Sequence, residues 1–132
     1  MLQPKVYIKE LNIVREVEMV DFYNKQVSVY DVGIGFRGGA AIFSFDKVEF
    51  MENTGMKDKN GNYICEYDIV KYHDDGEDED LKGSIFIVVK EQCGTSYYLE
   101  YHGFNMANLI NSYQDITVIG NIYENKELLG NE

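Results

Sequence analysis

Three stretches of the chain hold residue types that could do chemistry, and their spacing decides what each can do. Gly33-Ile34-Gly35-Phe36-Arg37-Gly38 has the G-x-G-x-x-G pattern, in which glycines let the backbone approach a pyrophosphate. That chemistry needs a helix N-terminus directly after the loop, because its N–H groups hold the phosphate. Here strand-like Ala40-Ala41-Ile42-Phe43-Ser44-Phe45 follows instead, so the segment is read as a loop or sheet corner that binds no nucleotide. Asp74-Asp75-Gly76-Glu77-Asp78-Glu79-Asp80 gathers six carboxylates, the donor type that hard cations take. Its spacing is not that of a calcium loop, since Gly76 comes too early and no Glu stands at the twelfth position. It reads as a solvated acidic loop with at most weak cation affinity. His73, His102, Cys65 and Cys93 supply ligand and nucleophile types, yet two histidines and no C-x-x-C pair define neither a metal site nor a Cys–His couple. No G-x-S-x-G, H-E-x-x-H or Walker pattern occurs. No catalysis, cofactor or metal is expected.

The elements that position these residues read as short strands. The 132 residues suit one domain or one domain with an appendage, and 11 Tyr and 7 Phe against a single Pro exclude a disordered or proline-rich chain. In Leu11-Asn12-Ile13-Val14-Arg15-Glu16-Val17-Glu18-Met19, the residues Leu11, Ile13, Val17 and Met19 alternate onto one side as in a strand. Ile13, Val17 and Val20 also fit one helical face. Gln26–Tyr30, Ala40–Phe45 and Lys47–Met51 follow as strands of an antiparallel meander over residues 1–50. Asn60-Gly61 predicts a type I′ hairpin, because that turn needs positive φ at both central residues. Ile69–Tyr72 and Ser84–Lys90 pair across the acidic loop, and the unbroken apolar run Ile85–Val89 predicts a strand buried on both faces. Tyr97–Tyr101 is a strand with Tyr97 and Tyr101 on one face and Tyr98 on the other. Asn105–Asn111 is expected as a short helix, Ile116–Gly120 as the closing strand and Asn125–Leu129 as one helical turn. The fold class is mainly β, with α+β as the variant.

Net charge is −11 with 12 basic and 23 acidic residues, and the imbalance belongs to the second half: residues 51–132 carry six basic and sixteen acidic side chains. A field of that sign repels phosphate, so direct nucleic-acid binding is not expected and basic proteins are easier partners. Neither a signal-peptide core nor a membrane span is legible, since Ile85–Val89 is the longest purely apolar run. With two cysteines only, an intracellular location with free thiols is expected.

Two blocks carry a family likeness. Glu52-Asn53-Thr54-Gly55-Met56-Lys57-Asp58-Lys59-Asn60-Gly61-Asn62-Tyr63-Ile64-Cys65-Glu66-Tyr67-Asp68-Ile69-Val70-Lys71 and Val118-Ile119-Gly120-Asn121-Ile122-Tyr123-Glu124-Asn125-Lys126-Glu127-Leu128-Leu129 closely resemble the YopX family of phage and prophage proteins. The resemblance implies a β-rich protein whose C-terminal part, residues 51–132, is similar to an SH3-like barrel. It implies no established activity. Tyr67 stands where family members usually carry Gly, which predicts backbone strain if that Gly serves positive φ. Cys65 replaces a usual aromatic, and Lys126 a frequent Pro.

Taken together, these readings lead to an accessory protein of the bacterial cytoplasm that binds a host or phage protein or assembles with itself, with a homo-oligomer favoured by its many short strand edges. The alternative is an acidic mimic of nucleic acid that occupies a host DNA-binding protein. The candidate interaction surface is the hairpin tip Lys57, Asp58, Lys59 and Asn60 together with Tyr98 on its separate strand.

Overall fold

Alternating apolar residues punctuated by Gly, Asn and Asp give strands and tight turns, and that is what the computed structural model of residues 3–30 and 40–130 contains. Among these described residues there are twelve strands, four single 3-10 turns and no α-helix. The protein is mainly β. No helix among the described residues is long and apolar enough to cross a membrane. The chain divides into two compact units, residues 1–52 and 53–132.

In the first unit, β1 (Lys5–Ile8), β2 (Ile13–Asp21), β3 (Gln26–Tyr30), β4 (Ala40–Ser44) and β5 (Val48–Met51) form one antiparallel sheet in the order β4-β3-β2-β1-β5. β2, β3 and β4 follow one another as the expected meander, and β1 adds a strand ahead of them. β5, expected to continue the meander beyond β4, instead returns to pair with β1, Val6 opposite Phe50. In β2, Val17 faces Val29 while Met19 faces Ser28, so Glu18 is an extra residue and the strand is bulged there. The bulge shifts the alternation by one residue. Leu11, Ile13 and Val17 pack with the core before it, Val20 packs with the core after it, and Met19 is turned out to solvent. The glycine-rich pattern at residues 33–38 lies outside the described residues.

The second unit holds β6 (Asn53–Lys57) and β7 (Tyr63–Cys65) as a hairpin, and β8 (Asp68–Tyr72), β9 (Ile85–Lys90), β10 (Tyr97–Tyr101), β11 (Phe104–Asn108) and β12 (Ile116–Asn121) as a sheet ordered β11-β10-β9-β8-β12. Its core gathers Ile64, Val70, Tyr72, Leu81, Phe86, Val88, Leu99, Leu109 and Ile116. β9 alternates instead of being buried on both faces: Phe86 and Val88 enter the core, while Ile85, Ile87 and Val89 are half-buried. The outer face is half-covered because Ile85 and Ile87 share a hollow with Leu129 of the last 3-10 turn, Lys126–Leu129.

Two turns depart from expectation for visible reasons. In the loop that joins β6 to β7, Gly61 alone takes positive φ (84°), Gly61 N–H donates to Asp58 O, and Asp58 N–H donates to Asn62 O. Asn60 keeps negative φ because its N–H is held by the Asp58 carboxylate, so the loop is longer than a type I′ turn. The two-residue turn with both φ positive lies elsewhere, at His102 (49°) and Gly103 (85°), and joins β10 to β11. Residues 104–108 are therefore a strand where a helix was expected. The helical turn is confined to Leu109–Asn111, where Asn108 Oδ1 accepts from Ile110 N–H.

Candidate protein-binding surface

The hairpin tip is tied to the end of the neighbouring five-stranded sheet. Asp58, 6% exposed, uses Oδ1 to accept from Asn60 N–H and Asn62 N–H, both at 2.9 Å, and Oδ2 to accept from Val118 N–H at 2.8 Å. Lys59 N–H donates to Ile116 O at 2.9 Å. These last two bonds fall on β12, an end strand of the sheet, so the tip saturates part of an edge that would otherwise offer its backbone groups to another chain. Lys59 Nζ reaches the Asp75 carboxylate at 2.6 Å, and this ion pair holds the Asp75 carboxyl below the usual carboxylate range. Lys57 lies 5.0 Å over the Tyr63 ring. Of the expected interaction surface, Asp58 is turned inward, while Lys57, Lys59 and Asn60 are exposed, Lys59 with its amine on Asp75. Tyr98 stands half-buried on β10, opposite Val89 and Asn108 in a different sheet from the hairpin.

The acidic loop is built around one phenol. Tyr72 Oη donates to Asp115 Oδ2 at 3.0 Å and accepts from Asp78 N–H at 3.1 Å. Burial, then the neighbouring Asp115 carboxylate, push the Tyr72 phenol up from its ordinary range. Gly76 lies flat against the ring, where a Cβ would stand 2.4 Å from Tyr72 Cε1. Leu81 enters the core, Asp80 N–H donates to Asp78 Oδ1, and Lys82 pairs with Glu79 at 2.8 Å. The loop thus has a defined path, with its six carboxylate residues exposed to solvent. His73 presents its ring to the Thr117 hydroxyl and its N–H to Asp115 O. Cys65 is buried, Cys93 is exposed, and no disulfide joins them. Among the described residues, no three His, Cys, Asp or Glu side chains converge as metal ligands.

Between this loop and β11 runs a groove of about 570 Å³, with Glu77, Asp78, Glu79 and Asp115 on one side and Met106, Asn108 and Asn111 on the other. Among the described residues, no Lys or Arg lines it. The β11 strand has β10 on one side and, among the described residues, no strand on the other. Phe104 (71%) and Met106 (50%) are exposed on it and Ile110 (60%) on the 3-10 turn that follows, while Leu109 is buried and Ala107 packs against the core. Sequence reasoning missed this edge because it read a helix across it. The legible signal was His102-Gly103, a two-residue turn directly before Phe104.

A crystal structure of protein EF1440 from Enterococcus faecalis is similar over 97% of both chains, with a TM-score of 0.59 and 25% sequence identity. No curated protein matches this chain. The model of the YopX protein family matches residues 5–130, nearly the whole chain and both units. With that span and the sheet order just described, the chain belongs to the YopX family.

Proposed function

We propose that this chain is a non-enzymatic accessory protein of phage or prophage origin that works in the bacterial cytoplasm by binding another protein, and that the open edge at β11 is where it binds. The observation that carries the reading is the contrast between the two ends of one sheet. The β12 end is partly capped by Asp58 and Lys59, whereas the β11 end carries exposed Phe104, Met106 and Ile110 and no covering strand among the described residues. Apolar side chains on an uncovered strand edge are what a monomeric protein avoids unless the edge is used. A four-strand meander β8–β11, two 3-10 turns and a last strand β12 returning beside β8 also support an SH3-like connectivity for the second unit.

The nucleic-acid-mimic reading has less support. Imitating a phosphate backbone calls for carboxylates spaced along an extended face, and those of residues 74–80 share one loop in which Asp75 and Glu79 already pair with lysines. Self-association through β11 would bring two acid-lined grooves together, so a partner of different sequence is favoured there.

Photo-crosslinking tests the proposal. A benzoyl-phenylalanine placed at Phe104 should give a covalent adduct with one defined protein in lysate of the bacterium that carries the gene, and the same probe at exposed Tyr23 should not. Adducts of equal yield at both positions, adducts only with a second copy, or none at Phe104 would refute it.

A further inference from the structure

We infer that the β11 edge and the acidic groove beside it receive one ligand together: an extended, basic segment of a partner protein, added as a sixth strand with its Lys or Arg side chains over Glu77 and Asp78. This rests on the protein-binding reading above and names the chemistry of the partner. Three independent features converge on it. An outer strand with no second neighbour among the described residues offers backbone hydrogen bonding along one side of its five residues, about 17 Å of extended chain. Exposed Phe104 and Met106 on that strand give apolar side chains of the incoming segment something to cover. Glu77 and Asp78 line the groove that Met106, Ala107 and Asn108 also line, with no Lys or Arg among its described lining residues, so the added strand meets negative potential beside that part of β11.

The Asp78 carboxylate has a defined place in the loop. Asp78 is fixed through its N–H to Tyr72 Oη and through Oδ1 to Asp80 N–H, and Gly76 packed on the Tyr72 ring sets the path of the chain just before Glu77. A preorganised acidic rim costs less ordering on binding than a flexible one, so charge is converted into specificity for the sign of the partner. A second copy of this chain does not meet that requirement, because its own β11 is flanked by the same acids.

The test uses the full chain, labelled with nitrogen-15, and three end-blocked nine-residue peptides in which Val alternates with Lys, Gln or Glu. The Lys peptide should shift the amides of Phe104–Asn108 and of Glu77 and Asp78 in a saturable manner, more weakly at high salt. The Gln peptide should bind less tightly, and the Glu peptide should leave the spectrum unchanged. Replacing Glu77→Gln and Asp78→Asn together should weaken the Lys peptide by roughly threefold or more, the scale of two exposed ion pairs. Glu10→Gln, which removes one charge from the first unit, should not. If all three peptides shift β11 equally, the edge stands as a binding site and the assignment of a basic partner fails. Shifts of the acidic loop without β11, or equal affinity in the Glu77→Gln/Asp78→Asn variant, also overturn it. If no peptide moves β11, or if the chain pairs with itself there in sedimentation, the edge is not a site for a foreign strand and both readings fall.

Discussion

Asp58→Ala should uncover the second end of the same sheet, and its cost can be worked from three bonds. The carboxylate accepts from Asn60 N–H, Asn62 N–H and Val118 N–H, at 2.9, 2.9 and 2.8 Å. Asn60 and Asn62 are exposed, so water replaces the lost acceptor and each bond costs about 0.5–1 kcal/mol. Val118 is half-buried beneath the tip, and its orphaned N–H costs about 1–3 kcal/mol. The sum, about 2–5 kcal/mol, is a large fraction of the 5–15 kcal/mol typical of a folded domain. Asp58→Asn separates the two functions of the side chain: its carbonyl can still accept from the loop, but its NH2 group then faces the Val118 N–H. That variant should lose about 1–3 kcal/mol, the share of the β12 bond. Because the chain has two compact units, residue-resolved hydrogen exchange is the appropriate readout, followed at Ile116 and Val118 and compared with Val6 in the first unit. The expected result is lost protection on β12 with the first unit unchanged. Protection at Val118 within about 0.5 kcal/mol of wild type in Asp58→Ala would show that the tip does not hold the edge, since even one ordinary hydrogen bond is worth that much.

Gly76→Ala should destabilise the second unit by about 1–3 kcal/mol in denaturant titration, because its Cβ would meet the Tyr72 ring at 2.4 Å in a site already packed. Lys59→Met should raise the Asp75 pKa toward its ordinary value in a carbon-13 carboxyl titration. As the folded-state pKa is the depressed one, the pair's contribution is present above the unfolded pKa and fades as pH falls through the folded one. The Tyr72 phenol titrates in the opposite sense. Its folded-state pKa is raised, so its contribution is intact below the ordinary tyrosine pKa and lost as pH climbs through the folded value; Tyr72→Phe should remove that alkaline loss. A thiol reagent should modify exposed Cys93 in the native protein and buried Cys65 only after unfolding.

Strand identity was largely legible because period-2 alternation survives wherever pairing is regular, as in Gln26–Tyr30, Ile69–Tyr72 and Tyr97–Tyr101. Tyr67 was legible for a different reason. The family likeness placed a glycine there, and the backbone keeps the glycine conformation, φ 70°, with tyrosine in its place. Its ring makes an edge contact with Tyr123, and its backbone exchanges bonds with Val88 O and Ile122 N–H at 2.7 and 3.0 Å. The surrounding pairing therefore over-determines a conformation that the side chain disfavours.

What the sequence hid follows from one physical cause. A bulge adds a residue without adding a partner, so an inward series that starts with a spacing of two jumps to three across it. In β2 the core-facing residues are Ile13, Val17 and Val20, spaced four and three, which is also the signature of a helical face. In β11 the register shift opposite Leu99 and Glu100 leaves Met106 exposed between Asn105 and Ala107, and with Leu109 just beyond, the stretch again imitates a helix. Ile119 is the same case in β12: Val118 faces Val70, Gly120 faces Ile69, and the extra isoleucine is pushed outward. Hydrophobic residues stranded on the outside by such shifts are indistinguishable in sequence from core residues. The candidate binding edge carries one of them, Met106, so it is least legible at the position where the argument for its use is strongest.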